Sequence, residues 1–111
     1  MKKYLVIYQS SVSAMEQMAK ATPEQAKAGM AAWMTWGEKN KAAIVDMGSP
    51  VGNPQSFKSG GGSSIKSAIG GYSILQAASQ DGLKKALANQ PHLMMAGNTI
   101  EVHEFLPIPG M

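Results

Sequence analysis

Thr22-Pro23-Glu24-Gln25 is the tightest local constraint in the chain. Threonine at the cap, proline at the first helical position and glutamine at the third complete a capping box, so a helix has to begin here. Ala26, Met30, Trp33, Gly37 and Ile44 then fall on one side of a 3.6-residue wheel, and Lys27, Thr35, Glu38 and Lys39 on the other. The spacing predicts an amphipathic helix running to Ala42 or Ala43, about 30 Å long, lying on a sheet or another helix. Trp36 sits at the edge of its apolar side.

The other elements are read outward from this helix. Lys3 to Gln9 is dense in β-branched and aromatic residues and predicts a first strand. Ser10 to Ala21 is a connector, in which Ser13-Ala-Met-Glu16 has the capping-box spacing for a short helical turn. A second strand is expected within Met47 to Phe57, interrupted or edged by Pro50 and Pro54. Gly60-Gly-Gly-Ser-Ser64 makes Lys58 to Ser67 a flexible loop. Ala68 to Ala77 is the third strand, where Gly70-Gly71 suggests a bulge or a close backbone approach.

Ser79 caps a second helix over Gln80 to Asn89, with Leu83, Ala86 and Leu87 as its apolar stripe and Pro91 as its stop. Asn98 to Leu106 is the fourth strand: Ile100 and Val102 point to one face, Glu101, His103 and Phe105 to the other. The order β-α-β-β-α-β predicts an α+β, ferredoxin-like fold, a four-stranded antiparallel sheet with both helices on one face. The opposite face is left bare and must meet something, most simply a second copy of the chain. At 111 residues, 44% hydrophobic and 15% charged, residues 1–111 suit one globular domain.

Charge and composition remove several classes of function. The ten basic residues are all lysine, scattered with no run longer than two, and the net charge is +3. Without arginine, the usual fork for phosphate and guanine, no nucleic-acid partner is expected. An RNA-binding sheet needs several exposed aromatics on its central strands, and only Tyr72 is offered. No cysteine is present, which excludes disulfides and thiolate chemistry. The apolar stretch Tyr4 to Tyr8 is shorter than a signal-peptide core of about 7–15 residues, and nothing approaches a membrane span, so no membrane partner and a cytoplasmic location are expected.

Four segments carry a family resemblance: Ala31-Ala-Trp33-Met-Thr-Trp36, Asp46-Met-Gly-Ser-Pro50, Gly70-Gly-Tyr72-Ser-Ile74, and Gln90-Pro-His-Leu93 leading into Gly97-Asn-Thr-Ile-Glu-Val-His-Glu104. By their order and spacing, over nearly the whole chain, they resemble the YCII-related proteins, especially the subgroup related to the DGPF-domain proteins. The resemblance implies a dimeric α+β barrel in which two bare sheet faces pack together. It also implies a cleft between sheet and helices where small ligands bind. The wider superfamily includes isomerases, dehalogenases and monooxygenases; most YCII-related members have no assigned activity. Two features depart from the pattern. The Asp-Gly-Pro-Phe motif is absent, and Gln90 stands where many members carry an acid before the proline. The first helical region also lacks a histidine.

Few residues remain to carry chemistry. His92, following Pro91 at a helix end, is the best candidate acid or base, with Asp46 as its orienting partner. A helix-end histidine also caps carbonyls, and an aspartate also builds turns. Glu101 and His103 are two apart on one strand and so on one face, placed to bind an anion, shuttle a proton or bridge two protomers. Trp36 and Tyr72 are the aromatics expected to touch a ligand, whereas Trp33 reads as core. No metal site or cofactor is expected. Gly60 to Ser67 lacks the glycine and the strand-to-helix context of a phosphate loop, and Gly71-Tyr-Ser73-Ile-Leu75 lacks the last glycine of a nucleophile elbow. The leading expectation is a homodimer binding a small organic molecule, with isomerase- or lyase-like proton transfer. The alternative is a non-catalytic binding or interaction module of the same fold.

Overall fold

The alternation of Lys2–Gln9, strand β1, sets the two faces of the sheet: Tyr4, Val6 and Tyr8 are buried, while Leu5 and Ile7 turn the other way and stay half-buried. This computed structural model describes residues 1–110. Strands β2 (Ile44–Pro50), β5 (Ile69–Ala77) and β6 (Thr99–Glu104) join β1 in an antiparallel sheet of order β2-β5-β1-β6. The architecture is α+β and compatible with a ferredoxin-like fold.

Three α-helices accompany the sheet: α1 (Ala14–Lys20), α2 (Pro23–Lys39) and α3 (Gln80–Leu87). The expected turn at Ser13 is therefore a full short helix, its cap hydroxyl accepting from Glu16 N. Thr22 and Gln25 form the complete capping box of α2. That helix stops at Lys39, before Ala42, where Asn40 leaves helical geometry at φ -118° and its side-chain amide donates to the Trp36 carbonyl at 3.0 Å.

Trp36 of α2 and Leu83 of α3 enter one cluster with Tyr4, Val6, Tyr8 and Leu75, so both helices cover the same face. The expected stripe of α2 is only partly used. Ala26 and Met30 are exposed, Trp33 is half-buried, and Trp36, expected at the edge, is 3% exposed. Its indole N–H donates to the Ala86 carbonyl at 2.8 Å, tying α2 to α3.

Glycines permit two irregularities in the ladder. Tyr8 pairs with Gly71 and Gln9 with Ile69, which leaves Gly70 as the bulged residue and bears out the reading of the glycine pair. In β2 the register shifts between Asp46 and Ser49, at Gly48, whose φ is +79°. The second strand expected within Met47 to Phe57 is β2, which starts earlier and ends at Pro50; the rest of that segment and the expected flexible loop form a second sheet, the hairpin of β3 (Gln55–Lys58) and β4 (Gly61–Ser64). All eight of its residues are exposed, Phe57 by 78%. No helix is long and apolar enough to cross a membrane among the described residues.

Candidate functional site

His92 lies in a single 3₁₀ turn, Pro91–Met94, which Gln90 caps by accepting from His92 N at 2.6 Å. The ring Nε2 is 2.8 Å from the Gln9 carbonyl oxygen and 3.1 Å from that of Thr99. Two carbonyls can only accept, so Nε2 carries the proton, and Nδ1 faces the Asn98 amide at 3.4 Å as acceptor. Both ring nitrogens are thus engaged by structure. The ring also tilts against Tyr8, which meets Trp33 edge-on.

Behind this turn lies a buried polar chain. Gln90 and Ser73 are fully buried. The Gln90 amide reaches the Tyr8 hydroxyl at 3.5 Å, Tyr8 donates to Ser73 Oγ at 2.8 Å, and Ser73 donates to the Met47 carbonyl at 2.6 Å. No described buried side-chain polar atom lacks a partner. Burial pushes the Tyr8 phenol above its ordinary value, partly offset by its hydrogen bonds to Ser73 and Gln90. The chain links β1, β5, β2 and the 3₁₀ turn and fixes their register.

Asp46 and His92 are not brought together. Asp46 lies on β2, at the edge opposite β6, and pairs with Ile74 on the face away from Tyr8. Its Oδ1 accepts from Gly48 N at 2.8 Å, stabilising the irregularity in its own strand. Trp36 is enclosed in the core, and Trp33 is the tryptophan that borders His92 through Tyr8.

The other candidates share the open face. Pairing places Asp46, Ile74, Leu5 and His103 in one row across the four strands, and Ser49, Tyr72, Ile7 and Glu101 in the next. His103 Nε2 is 2.8 Å from Glu101 Oε2, as their spacing on one strand predicts. Phe105 follows on the same face, its N–H bonded to the Lys3 carbonyl.

A shallow, open cleft of about 320 Å³ lies on the surface between α2 and β2, lined by Met34, Gly37, Glu38, Lys41, Ile44 and Met47. Sequence reading did not single it out. Its one advance signal was Gly37, a helix-interior glycine on the side facing the sheet. Its methionines give it adaptable apolar walls, and Glu38 and Lys41 add one charge of each sign. Among the described residues no three His, Asp or Glu side chains gather to hold a metal ion. Compared with known proteins, the chain matches no family model and no curated protein.

Proposed function

We propose that this chain is a cytoplasmic homodimeric binding protein, similar in kind to the YCII-related proteins, that takes a small organic molecule between α2 and β2 without turning it over. The observation that carries the reading is the separation of the cleft from the histidines: neither His92 nor His103 is among its lining residues. The titratable side chains that do line it, Glu38 and Lys41, are exposed to solvent, whereas a general acid or base has to be held against the reacting group. Glu38 and Lys41 are suited to orienting a polar end by charge while Met34, Ile44 and Met47 take the apolar body. The ring engagements of His92 and the neutral Gln90 support binding over catalysis.

Pairing through the sheet is supported by the open face itself. Leu5, Ile7, Tyr72 and Ile74 form its centre, half-buried, with exposed Phe105 alongside, while Trp36 of α2 and Leu83 of α3 pack on the opposite face. Contiguous apolar surface of this kind marks an interaction site.

A thermal-shift screen against small acids, lactones and phenols tests the ligand. A ligand at about 100 times its dissociation constant adds about 2.7 kcal/mol. A hit that disappears in folded Gly37→Leu, with no product formed, is the expected result; conversion of the ligand to product would overturn the non-catalytic reading. Light scattering tests the pairing, with twice the 11.7 kDa chain mass expected, falling to a single chain in Ile7→Glu.

A further inference from the structure

We propose that the two copies meet with their two-fold axis parallel to the strands, so that Asp46 of each protomer bonds the partner's His103. This rests on the sheet-face pairing proposed above and specifies its geometry. Asp46 and His103 end the same row, on the opposite edge strands β2 and β6. Each has one group engaged and one free. Asp46 Oδ1 holds Gly48 N, while Oδ2 has no hydrogen-bond partner among the described residues. His103 Nε2 holds Glu101, while Nδ1 has none among the described residues. Both residues are exposed.

A two-fold interface is self-complementary: if one residue meets another, the second meets the first across the axis. An axis along the strands exchanges the two edges and keeps each row level. Asp46 then faces the partner's His103, Ile74 faces the partner's Leu5, and Tyr72 faces the partner's Ile7. The apolar centre closes on itself, and at each edge a His103 ring protonated on both nitrogens sits between two carboxylates, donating Nε2–H to its own Glu101 and Nδ1–H to Asp46 across the interface.

The other in-plane axis runs across the strands and sets β2 against the partner's β2. Both Asp46 carboxylates then gather at one edge with no cation on β2, and both His103–Glu101 pairs gather at the other. Like charges placed opposite one another destabilise a sheet pairing. Lys3, on the same face, lies on β1, two strands from β2, and does not relieve the Asp46 edge. Charge complementarity therefore selects the axis along the strands.

The chain holds no cysteine, so introduced thiols are the only ones present. Asp46→Cys and His103→Cys chains are mixed, refolded together and treated with a bismaleimide matched to the roughly 10 Å between packed sheets. A band of doubled mass in the mixture, and in neither variant alone, is the expected result. Ser49→Cys mixed with Glu101→Cys reads the same orientation one row along and spares the Asp46–Gly48 bond. A dimer by light scattering that cross-links through Asp46→Cys alone, or through neither mixture, overturns this orientation and leaves sheet-face pairing standing. A monomer by light scattering overturns the pairing itself.

Discussion

The ring Nε2 of His92 lies 2.8 Å from the carbonyl oxygen of Gln9, the last residue of β1. Gln9 pairs with Thr99, the first residue of β6, whose carbonyl the same nitrogen reaches. One ring N–H thus clasps the open end of the β1–β6 ladder. His92→Ala removes the only side-chain donor to these two carbonyls among the described residues, and a hydrogen bond lost this way costs about 0.5–1.5 kcal/mol, more where an acceptor stays buried. Urea unfolding is expected to show that loss while a cleft ligand binds with unchanged affinity. Lost binding in the folded variant would instead place His92 at the ligand.

Gly48 has no substitute in β2. At φ +79° it sits where L side chains are strained, and an added Cβ would overlap the Tyr72 carbonyl. Gly48→Ala must shift the β2–β5 ladder to fit. The strained conformation alone costs about 1–3 kcal/mol, and the displaced ladder adds to it. A melting temperature within a degree or two of the parent would contradict this account.

Much of the frame is legible in the sequence because its signals are local. The Thr22 box, the Ser79 cap, the alternation of Ile100 and Val102 against Glu101 and His103, and the Gly70 bulge each depend on a few neighbouring residues. What escaped depends on partners far along the chain. Trp36 looked marginal on a helical wheel, yet it is buried because Ala86, fifty residues on, offers a carbonyl to its indole. Asp46 and His92 are both plausible functional residues in sequence, but strand order sends them to opposite edges. The β3–β4 hairpin was hidden by glycines and serines, whose composition suits a loop as well as a short exposed ladder. The Tyr8–Ser73–Gln90 chain leaves no local trace, because it joins residues from three distant segments.

Gly37 links stability to binding in opposite directions. It lies in the interior of α2, where glycine is about 0.8–1.0 kcal/mol less favourable than alanine. An added Cβ would meet only the end of the flexible Met47 side chain, at 3.3 Å. Gly37→Ala is therefore expected to raise stability by up to about 1 kcal/mol. The methyl group also intrudes on the cleft, so the affinity of a cleft ligand is expected to fall. Paired denaturation and calorimetric titration check both signs. Gains in both would mean that the ligand sits elsewhere.

Tyr8 gives the molecule an alkaline limit. Burial raises its phenol above the ordinary value, which is about 10 in an unfolded chain. Below that pH both states hold the proton, and Tyr8 adds no pH dependence. Above it the unfolded chain releases the proton while the folded one keeps it, so stability falls as pH rises until the folded phenol also ionises. Lys2, raised chiefly by its hydrogen bond to Glu104, adds a loss of the same sign at the exposed surface. Tyr8→Phe separates the two. At neutral pH it forfeits the bond to Ser73, about 0.5–1.5 kcal/mol. With rising pH the parent should lose stability faster than the variant, so the gap between them narrows above about pH 10. Urea titrations of both proteins from neutral to alkaline pH measure that gap. Parallel curves would mean that the Tyr8 phenol ionises as readily in the folded protein as in the unfolded chain.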